Sequence, residues 1–149
     1  MKLLVLNGPN LNMLGIREKH LYGAQTYEDL QAYILEKALE LGIDVEIYQS
    51  NHEGDLVDKI QSAYGEKDGI IINPAAYTHT SVAILDALKA VNLPAAEVHL
   101  TDITKREAFR QISYAGMACQ AHFMGLGFEG YGTALEWMKE LIETRSREQ

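Results

Sequence analysis

Short apolar runs alternating with longer amphipathic segments constrain this chain more than any other feature. Residues 3–7 read as a buried strand and 69–73 (GIIIN) as a continuous apolar one. Residues 43–49 (IDVEIYQ) alternate as a half-buried strand does, 95–100 (AAEVHL) make a fourth strand and 121–126 a fifth. Thr26-x-x-Asp29 has capping-box spacing and predicts a helix over 27–41, closed by Gly42. Ser50-x-x-Glu53 repeats that spacing before a helix reaching about Tyr64 and ending at Gly65. Thr80 or Ser81 caps VAILDALKAV, a short helix is expected near 105–110, and an amphipathic helix covers 130–145.

Strands that alternate with helices imply βαβ units and a parallel sheet. Right-handed crossovers then give an α/β, doubly wound, three-layer sandwich of flavodoxin-like strand order 2-1-3-4-5. The chain has 149 residues, which suits a single domain spanning 1–149. Thirteen Lys plus Arg against twenty-one Asp plus Glu leave a net charge of −8, which argues against a nucleic-acid-tracking surface. Cys119 is the single cysteine, so neither an internal disulfide nor a four-thiolate metal site can form. The apolar run before Asn7 is too short for a signal-peptide core or a membrane span. The expected setting is the cytoplasm.

In an open α/β sheet the ligand crevice lies outside the carboxyl ends of the strands. Those ends carry Asn7-Gly8-Pro9-Asn10, Asn73-Pro74 with His79 beyond, and Glu97-Val98-His99-Leu100-Thr101. One rim therefore receives Asn, His and Glu from three strands. The stretch 8–25 is long for a connection in a compact domain and holds Arg17, His20 and Tyr22, with Gly15 and Gly23 as hinges. It reads as a lid.

Other readings fail on particular residues. Gly125-x-Gly127-x-x-Gly130 matches a dinucleotide fingerprint but follows the last strand, with no later strand to bring a ribose-binding acid. Close strand–helix packing explains it better. The histidines at 20, 52, 79, 99 and 122 show no paired helical spacing, which disfavours a metal site. His122 is expected to point outward or make a simple hydrogen bond, and Cys119 to serve packing. Asn7 and Asn73 stand where a phosphate-accepting receiver needs acids, and NGPNLNMLG is not a flavin phosphate loop.

Four blocks of this sequence resemble type II 3-dehydroquinate dehydratases. They are LNGPNLNMLGIRE with Leu21-Tyr22-Gly23, INPAAYTHTSVAILDAL, Glu97-Val98-His99-Leu100-Thr101 with Arg106-Glu107-x-Phe109-Arg110, and Gly125-x-Gly127-x-x-Gly130-Tyr131 with Ala134-Leu135. The likeness runs through essentially the whole chain in order. It implies dehydration of 3-dehydroquinate to 3-dehydroshikimate with no cofactor and no metal, a reaction shared by aromatic biosynthesis and quinate breakdown.

Carried over residue by residue, the resemblance makes Tyr22 the base, Arg17 its partner in the lid, and Asn10 a stabiliser of the enolate through a water. His99 becomes the acid that protonates the leaving hydroxyl, supported by Glu97. Asn73, His79, Arg110 and the Leu100–Thr101 backbone would hold substrate, the backbone groups lying at a helix start. Asp86 corresponds to a residue that reaches a neighbouring subunit's site, in an assembly of trimers packed as a dodecamer. The chain departs from the pattern at Lys19, Asp102, Thr104, Lys105, Gly116, Cys119 and Ala121. None of these removes a proposed catalytic group. A flavodoxin-like ligand-binding module and a non-catalytic assembly protein stand as rival readings.

Overall fold

The structure, a computed structural model, describes residues 1–16 and 24–149. Strands β1 (Lys2–Asn7), β2 (Asp44–Gln49), β3 (Gly69–Asn73), β4 (Ala95–His99) and β5 (Ala121–Met124) all pair in parallel, in the order β2-β1-β3-β4-β5. The helices are α1 (Tyr27–Leu41), α2 (Glu53–Ser62), α3 (Val82–Val91) and α4 (Glu129–Arg147). This is the doubly wound order that the sequence pattern predicts.

Successive residues of a strand face opposite layers. Leu3, Val5, Ile71, Ala96 and Val98 pack with α1 and α4, whereas Leu4, Leu6, Ile70, Ile72 and Ala95 pack with α2 and α3. A strand covered on both faces favours apolar side chains, which is why β3 reads as an apolar run up to Asn73 at its carboxyl end. Ile70, Ile71 and Ile72 are fully buried. Each contributes about 1.5–3 kcal/mol by leaving water.

Local signals fix most helix ends. Asp29 N–H donates to Thr26 Oγ1 at 3.1 Å and Thr26 N–H to Asp29 Oδ2 at 2.9 Å, completing the predicted capping box. Gly42 closes α1 with a left-handed φ of 70°. Of the two caps proposed for α3, Ser81 is the one used: its Oγ accepts the Ile84 N–H at 3.0 Å.

Four expectations need correction. Ser50 is not an N-cap, because its N–H donates to Asn7 O and holds it in the β1–β2 ladder. Its hydroxyl instead accepts from His52 N–H and donates to Asp55, and α2 starts at Glu53 and ends at Ser62. The helix expected near 105–110 is two short 3₁₀ turns, Ile103–Lys105 and Ala108–Arg110, separated where Arg106 turns extended. The fifth strand stops at Met124 because Gly125 takes a φ of 77°. The last helix is longer than expected at both ends. No described helix is long and apolar enough to cross a membrane.

Candidate active site

The carboxyl ends of β1, β3 and β4 surround a cavity of about 180 Å³. Asn10 lines it from beyond β1, Asn73 and His79 from β3 and its extension, and His99, Leu100 and Thr101 from β4. Arg106 and Arg110 complete the wall from the 3₁₀ turns. Two non-glycine residues of this wall adopt left-handed backbone, Asn10 at φ 70° and Ala75 at φ 52°. For alanine that conformation costs about 1–2 kcal/mol. It lets the Ala75 N–H turn back to Asn73 Oδ1 at 3.1 Å.

Behind the cavity lies a buried carboxylate. Glu97 and His99 are two apart on β4, so their side chains share one face of the sheet, and Glu97 is fully buried. Four donors converge on it. Thr78 Oγ1 donates to Oε2 at 2.7 Å, Ser113 Oγ to the same oxygen, His99 Nε2 to Oε2 at 2.8 Å and His122 Nδ1 to Oε1 at 2.9 Å. Burial alone would raise the Glu97 pKa, but the hydrogen bond and charge of His99, with Ser113 and Thr78, outweigh it and bring the carboxyl to about 2. A carboxylate only accepts, so the Nε2 of His99 carries a proton and Nδ1 is the ring nitrogen left for a ligand.

A neutral polar network occupies the opposite face of the sheet. Tyr131, fully buried on α4, donates its hydroxyl to Asn7 Oδ1 at 2.7 Å and accepts from Asn73 Nδ2 at 3.0 Å. Asn7 Nδ2 reaches the Tyr27 hydroxyl at 3.4 Å. Burial raises the Tyr131 phenol well above its ordinary value. The Asn73 amide thus has its oxygen on Ala75 and one N–H on Tyr131, which leaves one N–H for the cavity. Among the described residues, no buried side-chain nitrogen or oxygen lacks a partner.

His79 makes a 2.8 Å hydrogen bond from Nδ1 to Ile112 O, which directs Nε2 elsewhere. Partial burial is the first cause of its lowered pKa, with His99 and Arg110 adding positive charge nearby and the Ile112 carbonyl opposing the shift. Arg110 bonds Glu107 through Nε at 2.6 Å and lies 5.0 Å from the Phe109 ring centroid. Its two terminal nitrogens retain donors for an anion.

The sequence-predicted residues divide clearly. Asn10, Asn73, His79, His99, Leu100, Thr101 and Arg110 border one cavity, with Glu97 directly behind His99. Asp86 is exposed on α3 and does not border it. Tyr22 and Arg17, with the lid assigned to them, lie outside the described residues. The helix start expected to offer its N–H groups is a single turn whose Thr104 N–H already bonds Asp102 Oδ1 at 3.0 Å.

Sequence reasoning missed Thr78, Ser113 and Tyr131 altogether, since a Thr, Ser or Tyr carries no sign of what the fold brings against it. For His122 the sequence leaves two expectations, pointing outward or making a simple hydrogen bond. Its link to Glu97 crosses 25 residues. Cys119 does serve packing, and burial pushes its thiol up to about 12.

Comparison with known proteins agrees with this fold. The family description "Dehydroquinase class II" matches residues 1–139. The 3-dehydroquinate dehydratase of Caldicellulosiruptor bescii is 55% identical over 95% of this chain and 99% of its own length. The crystal structure of type II dehydroquinase from Butyrivibrio crossotus superposes with a TM-score of 0.91 at 50% identity, covering 93% of this chain and 97% of that one. The type II dehydroquinase from Propionibacterium acnes gives 0.88 at 42% identity, covering 92% and 94%. With its match over residues 1–139, its strand order and its polar rim, the chain belongs to the family of class II dehydroquinases, the type II 3-dehydroquinate dehydratases.

Proposed function

We propose that this protein dehydrates 3-dehydroquinate to 3-dehydroshikimate by anti elimination through an enolate, without a cofactor or metal, as the third step of chorismate and aromatic amino acid biosynthesis in the cytoplasm. The observation that carries this reading is the ionised, buried Glu97 bonded to His99 at the edge of a polar cavity. Tyr22, as phenolate, takes the proton beside the ketone. The electron pair moves onto the carbonyl oxygen, where Asn10 stabilises it through a water. Collapse of the enolate expels the hydroxyl, and His99 supplies the proton that lets it leave as water. The proton leaves from Nδ1, the ring nitrogen turned away from Glu97, while Nε2 stays bonded to the carboxylate. Asn73, His79, Arg110 and the Leu100–Thr101 backbone hold the substrate, and the spare Asn73 N–H and the Arg110 terminal nitrogens suit a hydroxylated carboxylate.

A phenol with a pKa near 10 is about 0.1% ionised at pH 7. Lowering it to about 7 takes roughly 4 kcal/mol of preferential stabilisation of the phenolate. One cation within about 4–6 Å supplies one to three pKa units. Arg17 suffices if the segment carrying both residues closes over bound substrate. Asp86 is proposed to reach the site of a neighbouring copy in a trimer, with four trimers forming a dodecamer.

The test is ultraviolet absorbance after adding protein and a chelator to 3-dehydroquinate, because the product is a conjugated enone carboxylate. A rise that survives the chelator and is lost in Tyr22→Phe is the expected result. No rise from folded wild-type protein would overturn the assignment and favour a ligand-binding module.

A further inference from the structure

We propose that His122 is a positioning residue for the acid of this reaction, acting through Glu97, and that Gly116 is the residue that gives it access. The inference rests on the function proposed above, in which His99 is the acid.

Three of the donors on Glu97 crowd one oxygen, Oε2: Thr78, Ser113 and His99. His122 is the donor on Oε1, at 2.9 Å. A carboxylate held on a single oxygen can swing about its last bond. A second anchor on the other oxygen fixes the plane of the group, and with it the direction of the bond to His99. His122 is suited to that task because β5 pairs beside β4 in register, Glu97 opposite His122 and His99 opposite Met124. Its side chain is 45% exposed, whereas those of Glu97 and His99 are 0% and 6% exposed. It therefore links the buried pair to the surface of the edge strand.

Gly116 supplies an independent observation. A Cβ built there would stand 2.6 Å from Glu97 Oε1, 2.9 Å from Ser113 Oγ and 3.2 Å from His122 Cε1. Its φ is not in the left-handed region, so the requirement for glycine is space and not backbone freedom. A Cβ at 116 therefore requires the Glu97 carboxylate or the Ser113 hydroxyl beside it to shift, disturbing the contact with His122. The glycine and the histidine, six residues apart in sequence, thus form one device.

The test compares wild type with His122→Val, His122→Asn and Gly116→Ala. Valine suits an edge strand and removes the donor, while asparagine places Nδ2 close to where the imidazole has Nδ1. Two readouts are taken: kcat and KM for 3-dehydroquinate, and the NMR signal of the His99 Nε2 proton bonded to Glu97. His122→Val and Gly116→Ala should each lower kcat about tenfold, the size of one hydrogen bond to a charged group, with KM within about twofold of wild type. The His99 proton should exchange faster in both. His122→Asn should restore both readouts, which a loss of packing alone would not explain.

Unchanged kcat and proton exchange in folded His122→Val would overturn the proposal. A wild type without turnover defeats the functional reading instead, and proton exchange across the variants then still decides whether His122 orients the pair.

Discussion

Replacing Glu97 with glutamine removes a charge while keeping the shape, and its cost should depend on pH in a defined way. Folding moves this carboxyl from its ordinary 4.5 to about 2. At 1.36 kcal/mol per pKa unit, the ionised network contributes about 3 kcal/mol at neutral pH. A carboxyl depressed by folding stabilises the native state above its unfolded pKa, and this stability is lost as pH falls through the folded value. By pH 3 about 2 kcal/mol of it has gone. Glutamine does not titrate, so the advantage of wild type over Glu97→Gln should shrink by that amount between pH 7 and pH 3.

The geometry favours a clean comparison. The amide oxygen can take the Oε2 place, where Thr78, Ser113 and His99 donate. The amide nitrogen then faces His122 Nδ1, which accepts by changing tautomer. Urea titrations at pH 7, 5, 4 and 3, followed through the single tryptophan at 137 and run at one protein concentration, measure the difference. An advantage equal at both ends, within about 0.5 kcal/mol, would refute the claim that these donors hold Glu97 ionised.

Arg17→Ala should lower turnover far more than it weakens substrate binding, because the guanidinium is assigned to the phenolate of Tyr22; steady-state kinetics beside calorimetric binding checks this, and unchanged turnover removes Arg17 from the mechanism. Tyr131→Phe leaves Asn7 Oδ1 without its buried donor and should cost about 1–3 kcal/mol in urea unfolding. The same variant frees one Asn73 N–H, so KM should rise as the amide loses its fixed direction. A stability equal to wild type would show that water replaces the phenol without loss.

The sheet was legible because burial on both faces leaves a plain trace: an apolar run such as GIIIN has few alternatives. Caps were legible where the cap and its helix answer only to each other, as at Thr26 and Asp29. Ser50 matched the same spacing and failed because the β1–β2 ladder had already claimed its backbone. The 105–110 segment failed for lack of any long-range anchor visible in sequence, and Arg106 breaks it. At the site, Glu97 and His99 could be placed together because a strand's two-residue period puts them on one face. Thr78, Ser113 and His122 reach the same carboxylate from separate stretches of chain, and nothing local in sequence records such a convergence.

Because every strand runs the same way, the rim that carries the cavity and the rim that does not are separated by a strand's length, about 17 Å. The turns at 42–43, 65–68 and 92–94 all lie on the far rim, leading into β2, β3 and β4. A dye, an affinity handle or a short insertion placed in those turns leaves Glu97, His99 and Asn73 untouched. The protein can be held at one end while its chemistry is followed at the other.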